Sequence, residues 1–188
     1  MGYQMIVVFR RTGEKRYGVE ALREGLPVVY IHPAPGYDRQ IPHDMMHMVV
    51  EAQLGLTRGI FGQLAAGGNA GTFQPSVQRD QSSREARRTR KRVTKRGKKL
   101  LKTGHDDCVL SERATYICWL EWRARTSSRP ADKQARDIAP ITELGLQQSK
   151  LDEIFKHVDE LSSHWSGLDI GQNVAVSWPD LAIVESGG

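Results

Sequence analysis

The chain has 188 residues and 21.1 kDa, with 39% hydrophobic and 26% charged residues, enough for one domain with a real core and too short for a multi-domain enzyme. Its formal charge of +5 is unevenly placed: residues 84–102 hold eleven bases against one acid, Glu85, so that segment carries +10 and the other 169 residues sum to −5. This excludes a uniformly basic protein and describes an acidic globule with a basic arm.

Residues 5–9, 17–22 and 27–31 are apolar runs with β character, separated by Thr12-Gly13-Glu14-Lys15 and Arg23-Glu24-Gly25 at hairpin lengths. An antiparallel three-stranded meander is expected, with one face in need of a cover. After the stiff stretch 32–38, a helix should start at Pro42 and end near Gly55, because proline is tolerated in a first turn and glycine closes a last one. On its wheel Met45, Met46, Met48, Val49, Val50 and Ala52 form a wide apolar arc, and Gln40, His43, Asp44, His47, Glu51 and Arg58 a narrow polar stripe without lysine. A short helix over 60–66 leads to the glycine cluster 67–71, which reads as an exposed loop.

Residues 74–83 are polar and mark a hinge. Ser82 and Glu85 have capping-box spacing for a basic helix whose apolar content is Ala86, Val93, Leu100 and Leu101, weakened by Gly97. Gly104 breaks it, and 109–125 should be amphipathic through Leu110, Ala114, Ile117 and Cys118. A polar connection over 126–140, a last helix over 149–161, a returning strand over 173–178 and a fraying tail complete the chain. The fold class is therefore α+β: an N-terminal antiparallel β-meander covered by helices, with a basic helical insertion. Within one domain, residues 1–73 hold the meander and the histidine helix, 74–104 the arm, and 105–188 the helical remainder with its strand.

The chemistry concentrates in His43-Asp44-x-x-His47. Histidines four apart on a helix lie about 6 Å apart along its axis, so both imidazoles can reach one cation. The five residues resemble the His-Glu-x-x-His helix of the zinc metallohydrolases, with Asp44 where that family keeps its general-base glutamate. The resemblance implies His43 and His47 as ligands of Zn2+ or another divalent metal, and Asp44 as the group that orients or deprotonates a metal-bound water. Aspartate is one methylene shorter than the family's glutamate. A second similarity is to the coenzyme Q biosynthesis family, whose His-Asp-x-x-His is followed about a dozen residues later by a glutamate; here that position is Gly59. Glu51 supplies a carboxylate earlier on the stripe, as base or added ligand, but it lies about 12 Å along the axis from His43 and cannot share an ion with it on an undistorted helix. A third ligand must come from elsewhere, with His32, His105, Asp106, His157 and Asp159 as candidates. The same stripe also fits the wet side of a surface helix, with Asp44 serving the helix dipole and Glu51 pairing with Arg58.

The arm offers a second chemistry. Arg87, Arg88, Arg90, Lys91, Arg92, Lys95, Arg96, Lys98 and Lys99, with Arg84 and Lys102 at its ends, would ring a helix about 28 Å long. A polyanion relieves their repulsion and releases counterions, so salt-dependent, sequence-independent nucleic-acid binding is expected. No aromatic residue between Phe73 and Tyr116 is available for base stacking, and no zipper or zinc-finger spacing follows. A solvated tether or a nuclear address are the alternatives. His105-Asp106-Asp107-Cys108 reads as an N-cap and first turn, the glycine cluster lacks a phosphate loop's Lys-Ser/Thr, and His157 reads as a packed or surface histidine. No apolar run approaches the roughly 18 to 20 residues of a membrane helix, no signal peptide opens the chain, and Cys108 and Cys118 are too few for a disulfide framework. A cytoplasmic protein, nuclear in a eukaryote, is the expectation. The expected function is divalent-metal binding, with metal-dependent hydrolysis as the chemistry it would support; the competing expectation is non-catalytic nucleic-acid binding through the arm.

Overall fold

The computed structural model describes residues 5–77 and 81–184. Strands β1 (Met5–Gly13), β2 (Arg16–Arg23) and β3 (Val29–Ile31) form the expected meander, each paired antiparallel with the next. Helices α1 (His43–Leu54) and α2 (Ile60–Ala65), strand β4 (Gln74–Pro75), helices α3 (Ser83–Thr103), α4 (His105–Thr126), α5 (Pro130–Ala135) and α6 (Gln148–Ser166), and strands β5 (Asn173–Trp178) and β6 (Ile183–Val184) follow. All six strands join one antiparallel sheet in the order β4-β3-β2-β1-β5-β6. The protein is thus α+β, one sheet packed against six helices.

Strand alternation decides which face is covered. Met5, Val7 and Phe9 of β1, Tyr17, Val19 and Ala21 of β2, and Val174, Val176 and Trp178 of β5 are buried on one side, while Ile6, Val8 and Arg10 are only half-buried on the other. On the covered side α1 contributes Met45, Met46, Met48, Val49 and Val50, and α6 contributes Ile154, Val158, Leu161 and Trp165, to the same apolar cluster. Each such buried side chain contributes about 1.5–3 kcal/mol. Helix α1 begins after Pro42 and ends at Gly55, as its sequence requires.

Several local expectations give way to packing. The glycine cluster is not an exposed loop: Gly67, Gly68 and Asn69 are buried beneath α3. Gly97, read as a weakness in the basic helix, is what lets α3 approach, since a Cβ there would stand 1.9 Å from Asn69 Oδ1. The Asn69 amide donates to Phe73 O, 3.0 Å, so the covered loop keeps its polar groups paired. The Ser82–Glu85 capping box is present in full. Part of the expected hinge over 74–83 forms β4, and residues 78–80 lie outside the described residues, as do 185–188 of the tail. The polar connection holds α5, started by Pro130 at its first position, and a 3-10 turn at Ile141–Leu144. Leu110 is 43% exposed, so the buried face of α4 runs instead through Ser111, Ala114, Thr115, Ile117, Cys118 and Trp122. Cys108 and Cys118 are free, and burial pushes the Cys118 thiol up to about 12. No helix among the described residues is long and apolar enough to cross a membrane.

Candidate metal centre

The polar stripe of α1 does not face water. Helix α4 packs across it, leaving His47 1% exposed and Glu51 fully buried. Small residues make this approach possible, because α4 turns Ser111 and Thr115, both fully buried, toward α1. His47 Nδ1 lies 2.9 Å from Ser111 Oγ and 3.2 Å from Thr115 Oγ1. Ser111 in turn donates to Glu51 Oε1 at 2.7 Å. Glu51 also accepts the backbone N–H groups of Ile60 (2.7 Å) and Phe61 (2.8 Å), the free donors at the start of α2.

This chain of bonds fixes the imidazole. Once Glu51 is ionised, above about pH 7, it can only accept, so the single Ser111 proton is committed to it and the contact between Ser111 and His47 is donated by Nδ1–H. The Nε2 lone pair of His47 is then free, and it points at His43 Nε2, 3.0 Å away, and Glu112 Oε2, 3.4 Å away. Burial, then the neighbouring His43, hold His47 well below its usual value, at about 3. At neutral pH its approach to Glu112 is therefore a meeting of electron pairs rather than an ion pair. His43, His47 and Glu112 each bring one ligand atom within 4.8 Å of the others, and they are the one such group of three among the described residues. Ligands about 2.0 Å from a tetrahedral ion stand roughly 3.3 Å from each other, which the 3.0 and 3.4 Å separations approximate. The group can hold a divalent ion. With His43 half-buried and Glu112 62% exposed, such an ion would remain open to solvent on one side.

The other anticipated residues sit around this centre. Asp44 Oδ2 is 2.6 Å from the Tyr17 hydroxyl, which is also 2.5 Å from Pro35 O. One phenolic proton cannot serve both acceptors, so a protonated Asp44 donating to Tyr17, with Tyr17 donating to Pro35 O, satisfies all three. Burial pushes the Asp44 carboxyl up, opposed by the Tyr17 bond and by His43, while the Glu112 charge pushes it further up; Asp44 therefore lies within electrostatic reach of two members of the group. Burial also pushes Glu51 up, to about 7, against the hydrogen bonds it accepts from Ser111 and from the backbone at the start of α2. Glu51 does not pair with Arg58, which faces Asp107 instead. Gly59 has its own role, since a Cβ there would fall 2.5 Å from the Glu51 carboxyl carbon. None of His32, His105, Asp106, His157 or Asp159 joins His43 and His47; Asp159, for example, accepts Trp122 Nε1–H at 2.7 Å.

Glu112, Ser111 and Thr115 were not legible as site residues. They lie more than sixty residues from His47, on a helix whose polar positions look ordinary; the one available signal was an uncharged Ser-x-x-x-Thr strip at helical spacing.

The nine basic residues from Arg87 to Lys99 are all exposed on α3, and none makes an ion pair among the described residues. No protein-family model, curated protein or solved structure matches this chain.

Proposed function

We propose that the protein binds a divalent metal ion, Zn2+ or one of similar preference, through His43, His47 and Glu112, and uses it for hydrolysis. One observation carries the reading: three ligand atoms converge while the far nitrogen of His47 is held by a buried Ser111–Glu51 pair. A ligating histidine whose other N–H is anchored to a carboxylate-backed acceptor is the usual construction of a metal site. Three protein ligands with an open side leave a position for water, whose pKa the ion lowers toward about 7. Asp44, tied to Tyr17 beside the group and protonated there, is the residue that would orient that water rather than take its proton. Glu51 acts through Ser111 and is a positioning residue. Elemental analysis of untagged protein tests the reading: one equivalent of metal is expected, lost in His43→Ala, His47→Ala and Glu112→Ala. Wild-type protein that neither purifies with nor takes up a divalent ion would refute it.

A second reading rests on α3. Eleven exposed cations between Arg84 and Lys102 on one helix fit the phosphates of a nucleic acid, bound without regard to sequence. Duplex affinity should fall steeply between low and moderate salt and collapse when Arg90, Lys91, Arg92, Lys95 and Arg96 become Gln. Salt-independent binding would contradict it.

A further inference from the structure

Helix α4 carries more than Glu112 toward the metal centre. Glu112, Tyr116, Trp119, Arg123 and Thr126 recur at alternating steps of four and three, so they form one stripe along the helix. Two cavities follow this stripe. The first, about 260 Å³, opens beside His43 and is walled by Tyr37, Ile41, Tyr116 and Trp119. The second, about 660 Å³, is lined by Arg39, Arg123, Arg129 and hydroxyl residues that include Ser128 and Ser162. Asp38 borders both, so the two cavities adjoin along α4.

The chemistry changes along this pair of cavities. At one end is the His/His/Glu group, in the middle an aromatic box, and at the far end an arginine floor. Arg123 is 9% exposed and lies 5.7 Å from the Trp119 ring, at the junction of box and floor. Asp38 (3.6 Å) and Asp132 (3.9 Å) hold it in place, and Gln40 accepts from it. Arg129 pairs with Asp132 at 3.2 Å, whereas Arg39 is exposed and makes no ion pair among the described residues. Three guanidinium groups against two carboxylates leave a net positive charge next to serine hydroxyls, the donor set that suits a phosphate. The rise from Glu112 to Arg123 is about 16 Å.

We infer that the two cavities act as one groove that binds a small molecule in which a planar aromatic or heteroaromatic ring carries a phosphate, the ring in the Tyr37–Tyr116–Trp119 box and the phosphate over Arg39, Arg123 and Arg129. This names the substrate class of the proposed metal centre and rests on that reading for its catalytic meaning, though not for its binding chemistry. Ring and phosphate together occupy both cavities, and neither part alone does.

The test is calorimetric titration of the full-length, chelator-treated protein with 1-naphthyl phosphate, 1-naphthol and inorganic phosphate. Naphthyl phosphate should bind at least tenfold more tightly than either fragment. Arg39→Gln with Arg129→Gln should weaken it about tenfold, as should Trp119→Leu. Both arginines are exposed, so the double variant keeps its fold where Arg123→Gln, buried between two carboxylates, need not. Replacing the exposed Lys15 and Arg16, at the turn between β1 and β2, by Gln should leave the affinity unchanged. Affinity equal to that of naphthol or of phosphate overturns the inference, as does a loss caused by the Lys15 and Arg16 variant rather than by the groove variant. Because the measurement is made without metal, a protein that binds naphthyl phosphate but no zinc refutes the metal centre alone. One that binds zinc but no naphthyl phosphate refutes the groove alone.

Discussion

Replacing Ser111 by alanine separates a metal site from a chance meeting of polar side chains. Its hydroxyl, fully buried, donates to Glu51 at 2.7 Å and accepts from His47 at 2.9 Å. The variant removes one of the donors to a buried carboxylate and leaves His47 Nδ1–H with Thr115 Oγ1 alone, at 3.2 Å. A hydrogen bond to a charged group contributes about 1.5–3 kcal/mol and a stranded buried donor costs about 1–3 kcal/mol, part of it recovered through Thr115, so the chelated variant should lose about 2–4 kcal/mol in urea unfolding. Loss of such an anchor behind a ligating histidine weakens metal binding by about 10–100-fold. Zinc competition against a chromogenic chelator, on protein confirmed folded by circular dichroism, reads the second quantity independently of the first. If stability falls as stated but zinc affinity does not move, the Ser111–Glu51 pair is a buried polar network and nothing more, and the assignment of the His47 lone pair to an ion fails.

Three further outcomes follow from the same residues. In chelated protein, His47 shifts on folding from 6.5 to about 3, so its contribution is present above pH 6.5 and lost as pH falls toward 3, while Glu51 shifts from 4.5 to about 7, so its contribution is present below pH 4.5 and lost as pH rises through 7. The two slopes, each up to about 1.4 kcal/mol per pH unit, oppose one another between pH 4.5 and 6.5; Glu51→Gln should convert a flat profile of urea midpoints into one that rises with pH, and an unchanged profile refutes the upward shift of Glu51 on burial. Gly59→Ala should push the Glu51 carboxylate from its place, at a cost of about 1–3 kcal/mol, and weaken zinc binding in the competition assay although it touches no ligand. Gly97→Ala should lower the thermal midpoint through the clash with Asn69, whereas helix propensity alone predicts a gain of roughly 0.8–1 kcal/mol; a raised midpoint would mean that α3 does not lie on the 67–71 loop.

Much of the framework was visible in the order of residues. Alternation and turn chemistry located β1 to β3 and β5, and Pro42, Gly55, Ser82 and Gly104 bounded α1 and α3 because those signals act within a few residues. His43 and His47 were likewise legible, since their relation is one turn of helix. Whether that turn met water was not, because the answer depends on α4, whose small Ser111 and Thr115 let it close over the stripe and bring Glu112 to its rim. Gly59 and Gly97 show the same limit. Read locally, one is a missing glutamate and the other a flaw in a helix; each is a place where another part of the chain comes too close for a Cβ. The Arg123 floor escaped notice because Arg39 lies more than eighty residues before Arg123 and Arg129, and only the fold brings it beside them.

The position of β1 bears on how the molecule assembles. It is flanked by β2, its immediate successor, and by β5, with Met5 opposite Trp178. During synthesis, one hydrogen-bonding edge of β1 therefore stays open until β5, more than 160 residues later, has emerged, and the closure of so long a loop is a slow, non-local event. An exposed strand edge is a template for pairing with other chains, so nascent or shortened forms that lack β5 should be the ones that need a chaperone or aggregate.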